Sequence, residues 1–359
     1  MKASDQHILL FGATGYTGKL IAGQLDSDGI MFCLCGRSLA KLNALKDNLI
    51  HQHPIRLVDI QNKEEVESIL DNFQVIINCI GPYNVFGNLV INSCINRSKV
   101  YIDISGEQQF VKDSFDRAEE IKRSGATVIH SVSFESCLAD LVAKSILNPE
   151  TGYESISSYY YFPEGSRPSP GTRLTMQISR CFPTYSFQDG KLELTPPLSI
   201  KEDVSFPAIP DVEQAYFMPY PEVLFFENRY RVLNSASFLL RNRSDAALFP
   251  VFSKGQTKSV DYYLEKHHRI THQGPTEQER SVQKFEFILK AISTDGNSFM
   301  KYVSGRDMYG LTAFLVVRLI REMLNGYKLS AGVLSPAEAV SWKGIGKELI
   351  DKKFIDVLI

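Results

Sequence analysis

Gly12, Gly15 and Gly18 stand at three-residue spacing directly after the apolar run Ile8-Leu9-Leu10-Phe11, and Leu20-Ile21-Ala22 then opens a helical pattern. In a strand–turn–helix unit each glycine has its own task. Gly12 permits the tight turn, Gly15 lets the backbone approach a pyrophosphate, and Gly18 lets the helix pack closely on the strand. Ala13, Thr14, Tyr16 and Thr17 complete the turn, whose N–H groups and positive helix end would face phosphates. The competing reading is a glycine-rich turn in an ordinary α/β unit. A second apolar strand, residues 30–35, closes on Gly36-Arg37-Ser38. A carboxylate there would take a ribose 2′-hydroxyl and repel a 2′-phosphate. Arg37 instead offers a planar, permanently charged fork that suits phosphate, with Ser38 and Lys41 adding contacts. The dinucleotide expected is NADP rather than NAD; the bland reading of Arg37 is a solvated loop charge.

Hydride chemistry also needs an oriented substrate and often a proton. Ligands of doubly wound sheets sit beyond the carboxyl ends of the strands. That rule nominates Asp59-Ile60 near the adenine and Gly81-Pro82-Tyr83 near the nicotinamide half, with Ser105-Gly106 and Ser131-Val132-Ser133 farther along. The Tyr83 phenol is one candidate donor and Asp103 a second, with Glu107 just beyond it. The competing readings are a packed aromatic wall for Tyr83 and a hydrogen bond to a loop or the ribose for Asp103. Tyr262 and Lys266 have a Tyr-x-x-x-Lys spacing but fall far outside the nucleotide region, so chance explains them. No metal is expected. His267, His268 and His272 lack an acidic or cysteine partner at ligand spacing, and Cys33 with Cys35 is too little for zinc. Arg167, Arg173 and Arg180 are candidates for a substrate carboxylate or plain surface charges. The aromatics of residues 182–230 would line an apolar pocket or form core.

The elements that must position these residues follow from patterning. From 1 to about 135, strands at 30–35, 55–60, 75–80, 100–104 and 126–130 alternate with helices at 63–72, 89–94 and 110–123, the mark of a mostly parallel, doubly wound sheet. After about 137 the texture changes. Strands at 156–162, 285–291 and 299–303 mix with a helix at 309–324 and another beginning at Ser335-Pro336-Ala337-Glu338, giving an α+β second half. Six prolines between Pro196 and Pro221 argue against a long helix or central strand, so this stretch reads as an irregular excursion, a lid or an interface arm. The expected division is a Rossmann domain over 1–137 and an α+β substrate and dimerisation domain over 138–359.

The chain has 359 residues, 44% hydrophobic and 22% charged, with a net charge of −2, which removes the basic excess that nucleic-acid binding needs. Six cysteines without paired ligand spacing suit a reducing compartment. No apolar run approaches the ~20 residues of a spanning helix, and no signal peptide fits the polar start; a cytoplasmic protein is expected.

GATGYTG at Gly12 to Gly18, Cys35-Gly36-Arg37-Ser38, Asn78-Cys79-Ile80-Gly81-Pro82-Tyr83 with Gly87, Tyr101 to Glu107 as YIDISGE, and Ala139-Asp140-Leu141 form an ordered series. It resembles the saccharopine dehydrogenase-like oxidoreductases, including the bacterial trans-acting enoyl reductases, over roughly residues 7–145. Weaker echoes lie at Gly171-Thr172, Tyr309 to Ala313 and Gly332 to Ala339. The resemblance implies an NADP-binding Rossmann domain, then an α+β domain supplying the substrate pocket and homodimer contacts, with C-terminal helices of 309–359 packing back on the first. Relatives carry Gly-Phe-Asp-Ser-x-Pro-x-Asp where this chain has Ser133-Phe134-Glu135-Ser136-Cys137-Leu138-Ala139-Asp140, a departure expected beside the nicotinamide. The leading expectation is an NADP-dependent oxidoreductase acting on a C=C, C=O or C=N bond of a small-molecule substrate. The alternative is an NADP(H)-binding sensor or scaffold without turnover.

Overall fold

The computed structural model describes residues 8–163, 167–207, 209–240, 258–267 and 274–358. The first part alternates as patterning requires: β1 (Ile8–Phe11), α1 (Tyr16–Ser27), β2 (Cys33–Gly36), α2 (Leu39–Lys46), β3 (Ile55–Leu57), α3 (Lys63–Leu70), β4 (Val75–Asn78), α4 (Tyr83–Ile95), β5 (Val100–Asp103), α5 (Gln108–Phe115), α6 (Ala118–Ser124) and β6 (Thr127–Ile129). Every residue of β1, β2 and β4 is buried, which is why these strands read as unbroken apolar runs. Side-chain caps start the polar helices: Ser38 accepts from Lys41 N–H for α2, and Asn62 from Glu64 and Glu65 N–H for α3.

The middle of the chain runs α7 (Phe134–Ile146), β7 (Gly152–Tyr161), α8 (Pro170–Ser179), β8 (Tyr185–Gln188), β9 (Lys191–Leu194), β10 (Lys201–Phe206), β11 (Ile209–Phe217), α9 (Glu222–Arg229), β12 (Arg231–Leu240), α10 (Val260–His267), α11 (Glu277–Val282), β13 (Lys284–Ser293) and β14 (Ser298–Arg306). It closes with α12 (Met308–Leu324), β15 (Gly332–Leu334), α13 (Pro336–Ala339), α14 (Ile345–Asp351) and β16 (Ile355–Leu358).

Two compact units result. One takes its described residues from Met1–Ser105, Phe110–Phe134 and Tyr309–Trp342; the other from Gly106–Gln109, Glu135–Met308 and Lys343–Ile359. The first holds a seven-stranded sheet in the order β15-β6-β5-β4-β1-β2-β3, parallel throughout. Strand order reverses between β1 and β4, and the crevice above such a point is where dinucleotides bind. The C-terminal strand β15 extends this sheet beyond β6, pairing Gly332 to Leu334 with Thr127 to Ile129. Among the described residues the second unit holds a nine-stranded mixed sheet, β10-β11-β12-β7-β13-β14-β16 with β8 and β9 attached through β12, in which only β12 and β7 run parallel. A cluster of Tyr159, Tyr161, Val204, Phe206, Phe217 and Phe238 forms a core there.

Several sequence expectations need correction. Residues 196–221 are not an irregular excursion: β10 and β11 form an antiparallel hairpin at the sheet edge. Pro207 sits between the strands and Pro196, Pro197, Pro219 and Pro221 outside them, where a missing N–H is tolerated. The helix expected at 89–94 starts at Tyr83, because Pro82 caps it and its carbonyl takes the N–H of Phe86. The single helix expected at 110–123 is two, α5 and α6, separated by Asp116-Arg117. The second strand begins at Cys33, and the third ends at Leu57 where Asp59 makes a turn, its carboxylate accepting from Gln61 N–H at 3.0 Å.

Candidate dinucleotide site

The glycine turn has the geometry its spacing requires. Gly12 adopts φ +74°, a left-handed conformation that favours glycine. A Cβ there would lie 2.8 Å from Ile80 Cγ1 and 3.1 Å from the Cys79 backbone, so the segment just past β4 also demands a glycine. Gly12 and Ala13 donate N–H to the Cys35 carbonyl at 3.1 and 3.2 Å, and Gly15 N–H closes the turn on the Gly12 carbonyl at 2.9 Å. A Cβ on Gly18 would lie 2.2 Å from the Gly12 oxygen, which fixes how closely α1 packs on the turn. Gly15 differs: it is exposed, and the one neighbour a Cβ would meet within 4 Å is the Gly12 oxygen, at 3.1 Å. It is the N-cap of α1 with no side-chain cap and no acidic residue in the first turn. The N-cap residue thus offers no side-chain acceptor of its own to the helix start, and the open face of Gly15 is a cradle of the kind a pyrophosphate fits. Around it Ala13 is buried, Thr14 and Thr17 are half-buried, and the Tyr16 ring meets Tyr309 edge-on at 4.8 Å.

At the carboxyl end of β2, Arg37 is exposed, Ser38 caps α2, and Lys41 is exposed one helical turn on. Among the described residues neither Arg37 nor Lys41 has a carboxylate partner, whereas Arg97, Arg117, Arg229, Arg280 and Arg306 are all ion-paired. Asp59 is exposed and its neighbour Ile60 packs against the core.

Beyond β4, Gly81 is exposed and Pro82 buried. Tyr83 is 5% exposed; its hydroxyl donates to the Asn78 carbonyl at 2.9 Å and its ring lies against Phe110 at 5.6 Å. Asn78 is itself fixed, donating to Tyr101 Oη at 3.1 Å and accepting from Ile80 N–H at 3.0 Å. This is the geometry of an aromatic wall. Asp103 is wholly buried. Its Oδ1 accepts N–H from Ser105 and Ser131 at 3.0 and 2.9 Å, and its Oδ2 meets His130 Nδ1 at 2.7 Å. His130 Nε2 in turn meets Ser114 Oγ at 2.8 Å. The Ser114–His130–Asp103 chain has the order of a nucleophilic triad, yet all three are buried. Its visible work is to latch the ends of β5 and β6 together, with Ser131 held at φ +57°.

A family model, the saccharopine dehydrogenase NADP binding domain, matches residues 8–129. Residues 8–129 are similar to that family. The human saccharopine dehydrogenase-like oxidoreductase is 32% identical over 188 residues, 46% of this chain and 44% of that protein. A trans-acting enoyl reductase of Mycobacterium bovis is 31% identical over 140 residues, 37% of this chain and 34% of that one. The chain thus matches less than half the length of these curated relatives. Among solved structures, the apo saccharopine dehydrogenase (L-Glu forming) of Saccharomyces cerevisiae aligns with a TM-score of 0.61 at 15% identity, covering 99% of this chain and 100% of that one. That likeness establishes a shared fold.

Outside the phosphate turn of this NADP-binding domain lie groups that sequence reasoning did not pick out. In the second unit Glu222 is wholly buried and accepts hydroxyls from Tyr160 and Ser237 at Oε1 and from Ser136 at Oε2, each at 2.8 Å. Burial pushes its carboxyl above the usual range, against the opposing hydroxyl donors. In the first unit Asp26 accepts from His51 and His53. Burial pushes the Asp26 carboxyl up, but the hydrogen bonds from His53, Ile50 and His51 outweigh it and hold the group well below the ordinary carboxylate range. No local pattern announces either cluster, because their members are tens of residues apart. Burial pushes the Cys33 thiol up to about 11 and the Cys79 thiol higher still, so neither is a nucleophile. Arg167 pairs with Glu279, Arg173 is exposed, and Arg180 ends α8 half-buried. Most of the aromatics of 182–230, including Phe187, Phe206, Phe217, Phe225 and Phe226, are core. His267 ends α10, while His268 and His272 lie outside the described residues.

Proposed function

We propose that this protein is an NADP-dependent oxidoreductase that moves a hydride between the nicotinamide cofactor and a C=C, C=O or C=N bond of a small or hydrophobic substrate. The observation that carries this reading is the glycine turn, open at Gly15, on the same sheet edge as an Arg37 guanidinium with no carboxylate partner among the described residues. When bound, NADPH supplies the hydride. The chain's own residues bind and orient: the N–H groups at the start of α1 take the pyrophosphate, Arg37 and Lys41 the 2′-phosphate, and Gly81, Pro82 and Tyr83 wall the nicotinamide half. Ser38, Asp59 and Ile60 border the adenosine. With its hydroxyl engaged by Asn78, Tyr83 serves as wall before proton donor, and Asp103 serves to position the ends of β5 and β6. In this reading the second unit supplies substrate-binding residues and the contacts of a homodimer, as the resemblance implies. A cytoplasmic location is supported by six free thiols and by the lack of any membrane-spanning helix among the described residues.

The test is NADPH oxidation by purified protein against a panel of enoyl, keto and imino compounds. Turnover on at least one class is expected. Tight NADPH binding with no turnover on any class would move the reading to an NADP(H) sensor, and absence of binding would contradict both.

A further inference from the structure

We propose that Asp26, His51 and His53 form a binding site for one divalent cation of the zinc type, at the end of α1 remote from the glycine turn. Asp26 comes from the last turn of α1, and both histidines come from the segment between α2 and β3. Asp26 Oδ1 lies 2.9 Å from His51 Nδ1 and 2.8 Å from His53 Nε2, and the three ligand atoms all lie within 4.8 Å of one another. Two imidazole nitrogens with one carboxylate oxygen are a donor set for borderline first-row cations, whereas Mg2+ and Ca2+ require more oxygens.

The site is prearranged by contacts that survive without the hydrogen bonds from the rings to the carboxylate. Ile50 N–H holds Oδ2 at 2.6 Å and His51 N–H holds Oδ1 at 3.0 Å, orienting the carboxylate from the backbone. The His53 ring rests on Phe32 with centroids 4.1 Å apart. Asp26 and His53 side chains are 2% and 0% exposed but His51 is 47% exposed, so the cluster opens to solvent on one side, for cation access and a water ligand. The last turn of α1 carries no basic residue, and a cation there would complement the negative end of the helix.

Two details set the expected strength. Zinc bonds of about 2.0–2.1 Å put tetrahedral ligand atoms roughly 3.3 Å apart. The oxygen–nitrogen pairs must therefore open by about half an ångström; the half-exposed His51 side chain can move to open one, and the other needs a small turn of the His53 ring or the Asp26 carboxylate in the interior. His53 Nδ1 is buried without a hydrogen-bond partner, so this ring lacks the outer contact that usually fixes a ligating imidazole. Loss of such a contact weakens metal affinity by about 10–100-fold. An exchangeable site is expected rather than a structural zinc. Asp26 lies 11 residues along α1 from Gly15, roughly 16 Å at the helical rise, so the cation and the dinucleotide do not share ligands.

The experiment titrates metal-free, full-length protein with Zn2+ and, for its visible absorption, Co2+, and follows thermal unfolding alongside. The expected result is one saturable equivalent, a cobalt spectrum of low coordination number, and a Tm raised by Zn2+ but not by Mg2+. His51→Ala should weaken binding by at least about tenfold while leaving the metal-free Tm near wild type, since the backbone N–H of residue 51 still reaches Asp26. Absence of a saturable equivalent by about 100 μM would overturn the site. So would His51→Ala and Asp26→Asn proteins that bind as tightly as wild type, since scattered thiols would then be the ligands.

Discussion

Gly15 and Gly18 stand three residues apart, yet a methyl group would meet opposite surroundings at the two. At Gly18 it would be driven to 2.2 Å from a backbone oxygen that cannot yield; at Gly15 it would meet that oxygen at 3.1 Å and otherwise open space. The two substitutions should therefore separate stability from binding. Gly18→Ala is expected to destabilise the protein by about 3 kcal/mol, because helix and turn must move apart. Gly15→Ala should stay within about 1 kcal/mol of wild type, with a slightly adjusted turn. It should nevertheless weaken NADPH about 100-fold, since the methyl fills the cradle. Thermal melts and NADPH titrations on both variants check the pair, and a Gly15→Ala protein binding NADPH normally would contradict the pyrophosphate placement.

At the scale of elements, Glu222 ties the start of α9 to β7 through Tyr160, to β12 through Ser237 and to α7 through Ser136. Its raised carboxyl has a definite consequence for pH. Folded protein holds the proton more tightly than unfolded chain, so the contribution is fully present below the unfolded value of about 4.3 and is lost as pH rises through the folded value. Glu222→Gln keeps the shape and an acceptor oxygen but cannot ionise. The stability of the variant relative to wild type should rise across that window and then level off. Chemical denaturation at a series of pH values reads this directly, and a pH-independent difference would contradict the raised carboxyl, since folded and unfolded chain would then hold the proton equally. Elements differed in how well they could be read. The strands of the parallel sheet were legible because burial on both faces forces unbroken apolar runs. The β10–β11 hairpin was not, because proline density speaks only to positions that need an N–H, and an edge hairpin places most of its prolines outside the strands. Nor was β15, whose three residues pair with a strand some 200 positions earlier, a contact no local pattern encodes.

Across the whole molecule the net charge is only −2, so no broad positive field draws a dinucleotide phosphate in. In the proposed reading, discrimination for the 2′-phosphate then falls to the two cations at the end of β2, Arg37 and Lys41. The shape of the glycine turn and the exposed place of Arg37 just past β2 could be read from residue order, because both are set by consecutive backbone. The burial and partners of Tyr83 and Asp103 could not, because they depend on what packs around each side chain. The Asn78 carbonyl at the end of β4 takes the Tyr83 hydroxyl, and His130, just past β6, reaches Asp103. The measurement that tests the account most directly is the dissociation constant of NADPH and of NADH for wild type and for Arg37→Ala. Wild type is expected to prefer NADPH, and the variant to lose about 2–3 kcal/mol, roughly 30–150-fold, for NADPH and little for NADH. Equal loss for both cofactors, or none for either, would contradict the assignment of the 2′-phosphate to Arg37.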